Sequence, residues 1–159
     1  MKKEIQKTLL FLTLLLSTAL MVSSCKKNGA GEEQPETAAT LKRKVLGKWE
    51  LSKGLITYYG ANGQVINQED LSGTKPAPVW DFRDNDILYQ NDGGRERTFA
   101  YQVAIDANGK SKLIIDMDYD FNVNVVDQSN MKLFLERKLP DDQEGTIRRE
   151  TMEIEFKKL

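Results

Sequence analysis

The chain has 159 residues, and its 23 lysines and arginines nearly balance 24 acidic residues, for a net charge of −1. It has no histidine and one cysteine. These counts exclude Ser-His-Asp and Cys-His catalysis, histidine metal sites and an internal disulfide, and the scattered basic residues leave no footprint for nucleic acid.

The chain opens with Lys2, Lys3 and Lys7 and continues with an apolar run of fourteen residues from Leu9 to Val22, broken only by Thr13, Ser17 and Thr18. About 20 apolar residues are needed to cross a bilayer as a helix, so this run is too short to span and matches the apolar region of a signal peptide. It ends in Val22-Ser23-Ser24-Cys25, an aliphatic residue, two small residues and a cysteine, which resembles a bacterial lipobox. The resemblance implies that residues 1–24 are removed and that Cys25 carries a thioether-linked lipid with palmitate-type acyl chains. One acyl chain anchors only marginally, whereas two or three hold firmly. The expected location is therefore the bacterial cell envelope, at the outer membrane, facing either the periplasm or the outside. The remaining 135 residues would carry 20 basic and 23 acidic residues, a net charge of −3. Residues 25–40 contain no large apolar side chain and read as a flexible tether, because they bury too little surface to offset the entropy of ordering.

Residues 41–159 are expected to form one domain. A short helix is predicted from Thr40 to Leu46. Beyond it the pattern has period two: Phe99, Tyr101, Val103 and Ile105; Leu113, Ile115 and Met117; Phe121, Val123 and Val125; Met131, Leu133 and Leu135, with Phe134 out of phase; Met152, Ile154 and Phe156. Such alternation marks strands with one buried and one wet face. Asn62-Gly63 and Asn108-Gly109 predict tight type I′ hairpin turns, and Asp92-Gly93-Gly94 and Asp127-Gln128-Ser129-Asn130 are looser turn signals. The fold class predicted is all-β: an antiparallel meander of about eight strands, closed into a small barrel rather than a sandwich because closure removes the two open edges.

The helix leading into Gly47-Lys48-Trp49 resembles the start of the lipocalins and their calycin-type relatives, and the domain as a whole resembles the lipocalin-like envelope lipoproteins of Bacteroidetes. Trp80-Asp81-Phe82-Arg83-Asp84-Asn85-Asp86 resembles their mid-barrel strand and turn. Phe99 to Val103 with Leu113-Ile114-Ile115 resembles the next hairpin, and Phe121-Asn122-Val123 with Met131-Lys132-Leu133 the late hairpin. Met152 to Lys157 resembles the last strand. The resemblance implies a barrel closed at one end by Gly47 and Trp49 beneath an arginine, for which Arg137 is the first candidate and Arg148 the second. The domain is shorter than a typical lipocalin and has neither a long helix after the barrel nor a disulfide.

Carboxylates offer little chemistry. Asp116, Asp118 and Asp120 share the start of a calcium-loop pattern, but Phe121 and Asp127 stand where that loop needs glycine and glutamate. Asp81, Asp84 and Asp86 could supply paired carboxylates, but Asp84-Asn85-Asp86 is better explained as a turn between Phe82 and Ile87. No catalytic residue, metal or cofactor is predicted, and the protein is expected not to be an enzyme. The aromatic residues, among them Trp49, Tyr58 and Tyr119, either fill the barrel or line a pocket. The resemblance favours a small hydrophobic ligand inside the barrel, with Trp80, Phe82, Phe99, Tyr101 and Phe121 as its wall. The alternative is a plugged barrel docking another envelope protein through an exposed apolar patch near Phe134 or the loop Leu71 to Val79.

Overall fold

The computed structural model of the protein describes residues 36–139 and 147–159. The predicted signal segment 1–24, Cys25 and the tether as far as residue 35 lie outside the described residues, as does 140–146.

Helix α1, Ala38–Val45, begins at a capping box: the Thr37 side chain accepts the Thr40 N–H at 3.2 Å, and the Thr40 hydroxyl accepts the Thr37 N–H at 2.9 Å. The helix therefore starts before the predicted Thr40, because the cap rather than the apolar period sets the first turn. Leu41 and Val45, four residues apart on one face, are fully buried. Lys42, Arg43 and Lys44 occupy the last turn, where positive charge suits the helix dipole. Lys42 also reaches across to Asp86 Oδ1 at 2.6 Å and the Asp84 carbonyl at 3.0 Å, tying the helix to the chain reversal there.

The strands are β1 Gly47–Tyr59, β2 Val65–Asp70, β3 Val79–Phe82, β4 Ile87–Asp92, β5 Arg95–Ile105, β6 Ser111–Ile115, β7 Tyr119–Val126, β8 Asn130–Lys138 and β9 Arg149–Lys158. Neighbours pair antiparallel in chain order from β3 to β9. β1 then pairs with β9 from Trp49↔Lys158 to Tyr59↔Arg149. This closes an eight-stranded antiparallel barrel, the predicted architecture, with one strand in addition. The addition is β2. Thirteen-residue β1 is too long for four-residue β3 to cover. β3 pairs with Gly47 to Glu50, and β2 takes Leu55 to Tyr59 on the same edge. All of β2 is exposed and its other edge has no strand partner among the described residues, so Glu69 and Asp70 serve as charges that discourage edge pairing.

Several local expectations are corrected. In both Asn-Gly turns only the glycine has positive φ, +79° at Gly63 and +78° at Gly109. Gly109 N–H donates to the Asp106 carbonyl and Asp106 N–H to the Lys110 carbonyl, each at 2.9 Å. These contacts describe a type I turn ending in a left-handed glycine rather than a type I′ turn. The Asp106 carboxylate accepts the Lys110 and Asn108 N–H groups, which hold its pKa below the ordinary value. Among the four predicted turns, Gly93-Gly94 is the one with positive φ at both centres. Met117 does not continue a strand face: β6 stops at Ile115, and Asp116 and Met117 are left-handed, with Met117 89% exposed. A bulge between Val123 and Val125 turns Val125 outward, against the predicted alternation.

The inward-facing residues build one contiguous core that includes Leu41 and Val45 from the helix, Trp49 and Leu51 from β1, and Leu113, Met131, Leu133, Leu135, Ile154 and Phe156 from the later strands. Each such side chain contributes on the order of 1.5–3 kcal/mol when fully buried.

Candidate functional site

At one end the barrel is shut. Trp49 is fully buried, and its indole Nε1 donates to the Val45 carbonyl at 2.7 Å. Gly47 sits at φ +115°, and a Cβ there would come 3.1 Å from Lys158 Cε. The Gly-x-Trp motif thus has two physical reasons: glycine for the backbone and the close approach of Lys158, tryptophan to plug the end beneath α1. The cation over the indole is Lys158, its Nζ 4.8 Å from the ring centroid and 2.9 Å from the Leu46 carbonyl it donates to. The predicted arginine cap is therefore corrected to a lysine of the last strand.

Arg137 stands elsewhere because β9 runs between the two places. Arg137 pairs in register with Glu150, and Trp49 with Lys158, eight steps along β9 or about 26 Å. Arg137 Nε donates to Glu150 Oε1, and the guanidinium lies 4.9 Å from the Tyr119 ring centroid. Burial, then the Glu69 and Glu150 carboxylates, push the nearby Tyr58 hydroxyl above the ordinary pKa. Arg148 lies just before β9, and its backbone N–H donates to the Tyr59 carbonyl at 2.8 Å.

Between the plug and this second end lies a cavity of about 250 Å³. Trp80, Leu88, Phe99, Ile115, Phe121 and Ile154 line it, with Leu71, Gln90, Arg97, Tyr119 and Met152 completing the wall. Trp80 is held by rings on three sides: Phe156 at 4.8 Å, Phe82 at 6.0 Å and Phe121 at 6.4 Å. Tyr119 stacks on Phe121 with an interplanar angle of 13°. A larger hollow of about 860 Å³ on the outer face beside Pro76, Tyr89 and Arg83 also touches Gln90 and Arg97. It is open to solvent and edged by the Arg83–Asp81 pair at 3.2 Å, so the interior cavity is the better container.

Of the five predicted wall residues, Trp80, Phe99 and Phe121 meet at the cavity. Phe82 and Tyr101 do not line it: both are buried in the core, ring against ring at 5.1 Å and 82°. The Tyr101 hydroxyl donates to the Arg83 carbonyl at 2.6 Å. Burial first, then Asp86 and Asp84, raise the Tyr101 pKa to about 12. A folded pKa above the unfolded value of about 10 gives stability that is complete below pH 10 and is lost as pH rises toward 12. Tyr101→Phe should cost about 1 kcal/mol at pH 7 for the lost hydrogen bond. It should also flatten the alkaline fall, so urea midpoints of the two proteins between pH 8 and 11.5 should converge. Parallel curves would show that Tyr101 is not the linked group.

The aliphatic wall and the polar rim escaped the sequence reading. Their signal was the shared face of Leu88 and Gln90, two apart in one strand, and of Arg97 and Phe99 in the next, which register places opposite one another as Leu88↔Phe99 and Gln90↔Arg97. The aspartates are structural. Asp116 Oδ1 accepts the Ala100 N–H at 2.9 Å, Asp120 pairs with Lys112 at 3.2 Å, and Asp86 pairs with Lys42. Among the described residues no three His, Cys, Asp or Glu side chains are grouped to hold a metal.

Comparison of the chain with protein-family models, curated proteins and solved structures returns no match.

Proposed function

We propose that the protein is a lipid-anchored, lipocalin-like container of the bacterial envelope that holds a small apolar ligand inside its barrel without catalysing a reaction. The observation that carries this reading is the apolar cavity of about 250 Å³ walled by Trp80, Phe99 and Phe121 above the Trp49 plug. Ligand sites are concave and mostly apolar with a few polar groups, typically about 300–1,000 Å³, so a small ligand is indicated. The anchor rests on Val22-Ser23-Ser24-Cys25 after a short apolar run, and the outer membrane is the proposed location. Native mass spectrometry of protein taken from its own envelope should show a co-purifying apolar molecule and a lipid-sized mass on Cys25. Protein that emerges ligand-free and loses nothing on denaturation would argue against the container. An unmodified Cys25 would argue against the anchor.

A second reading, docking of another envelope protein, draws on the exposed strand β2. Val65 and Ile66 on it are 52% and 39% exposed, and its outer edge has no strand partner among the described residues. Such edges accept a further strand. Crosslinking from this edge in intact envelopes should capture one defined partner, and capture of none would count against it.

A further inference from the structure

The cavity has one charged group at its lip that the fold itself does not use. Arg97 lines the cavity beside Phe99, and among the described residues its side chain makes no hydrogen bond and no ion pair. Arg137, which borders Tyr119 of the cavity wall, is neutralised by Glu150. Of the carboxylates nearest in register, Asp92 accepts from Gln90 Nε2 at 3.1 Å and keeps its charge, whereas Glu96 pairs with Asn91 and alternates to the outer face. Arg95, two residues from Arg97 on the same strand face, adds a second positive charge at the β4–β5 hairpin, while Glu69 on β2 pairs in register with Ile56 and accepts a hydrogen bond from Tyr58. An unpaired guanidinium over an apolar well is complementary to a molecule with one apolar end and one anionic end, because arginine offers paired donors to an oxyanion.

Resting on the container reading above, we infer that the ligand is a short amphiphile with an oxyanion head, its apolar body in the cavity and its head at Arg97 and the adjoining Gln90 amide. The cavity of about 250 Å³ sets the length of the body. A cavity of that size, below the usual range for ligand sites, admits a short chain rather than a long one. An eight-carbon chain is the probe chosen for it.

The test is calorimetric titration of the full chain with octanoate, octan-1-ol and octylamine, three probes with the same tail. Octanoate should bind about tenfold more tightly than octanol, octylamine should bind weakest, and added salt should weaken octanoate alone. Arg97→Gln should reduce octanoate binding about tenfold and leave octanol unchanged, with Arg97→Lys intermediate. Octyl phosphate titrated in parallel tells a carboxylate head from a phosphate head, and loss of affinity of either in Arg97→Gln supports the proposal. Equal binding of octanoate and octanol, or an Arg97→Gln variant that binds octanoate as before, overturns the anionic head while the container stands. Failure of all the probes to bind overturns both.

Discussion

Trp49→Ala is expected to cost about 4 kcal/mol, the largest loss from any single truncation in the domain, because a buried tryptophan cut to alanine leaves a cavity that the barrel end cannot collapse to fill. Three contacts go at once. The indole loses its burial, the Val45 carbonyl loses its donor, and Lys158 loses the ring beneath it. Leu41 and Val45 depend on the same floor, so α1 should loosen with it. For a domain of this size the midpoint of thermal unfolding should drop by roughly 15 °C, and the urea midpoint should fall with little change in slope. Trp49→Phe, which keeps a ring and deletes the N–H, should cost less, about 1–2 kcal/mol. A loss below about 1 kcal/mol for the alanine variant would show that the helix and the plug are not coupled to the barrel core.

Arg137→Ala should be the second large effect, about 3 kcal/mol, and larger than Glu150→Ala at about 1 kcal/mol. The asymmetry follows from exposure: the Arg137 side chain is 35% exposed and that of Glu150 only 6%. Without Arg137, a carboxylate stays buried without its cation, and removing one partner of a buried pair is costly. Without Glu150, the guanidinium is already solvated on one side and keeps its place over Tyr119. Adding Glu150→Leu to Arg137→Ala should restore much of the loss, because the pair contributes less than the penalty of breaking it. Urea unfolding of the two single variants and the double variant measures all three values. Equal small losses would place the pair among solvated surface ion pairs, which are worth about 0–1 kcal/mol.

The fold was legible to a considerable depth because strand alternation is local. Leu113 with Ile115, Met131 with Leu133 and Leu135, and Ile154 with Phe156 each declare a buried face through period two alone, and each of these residues is buried. Where the reading slipped, the cause was equally local but invisible in residue type. A bulge costs one residue of phase, so Val125 turned outward, and a left-handed turn at Asp116-Met117 ended a strand that the pattern would have continued. The lengths of β1 and β3 decide that β2 must exist, but the sequence marks neither length, since Lys53-Gly54 interrupts the apolar pattern of β1.

The candidate site was legible only in part, for a different reason. Aromatic residues announce themselves, and three of the five named residues do meet at the cavity. Which rings fill space and which border it depends on height in the barrel, set by the shear between strands rather than by composition. Phe82 and Tyr101 lie against each other away from the cavity, while Leu88, Ile115 and Ile154, unremarkable in sequence, form its wall. The same principle moved the cation over Trp49 from Arg137 to Lys158, because antiparallel pairing through β9 puts those residues at opposite ends. The sequence by itself determined an all-β domain of alternating strands behind a short helix, which rests on chemistry between near neighbours in the chain, while the Gly-x-Trp plug and the lipid on Cys25 were expectations from resemblance. Only the tertiary structure decided that closure leaves a cavity, which side chains border it and that the Arg97 side chain at its lip has no partner among the described residues, because those depend on register around a closed sheet, a property no single strand carries.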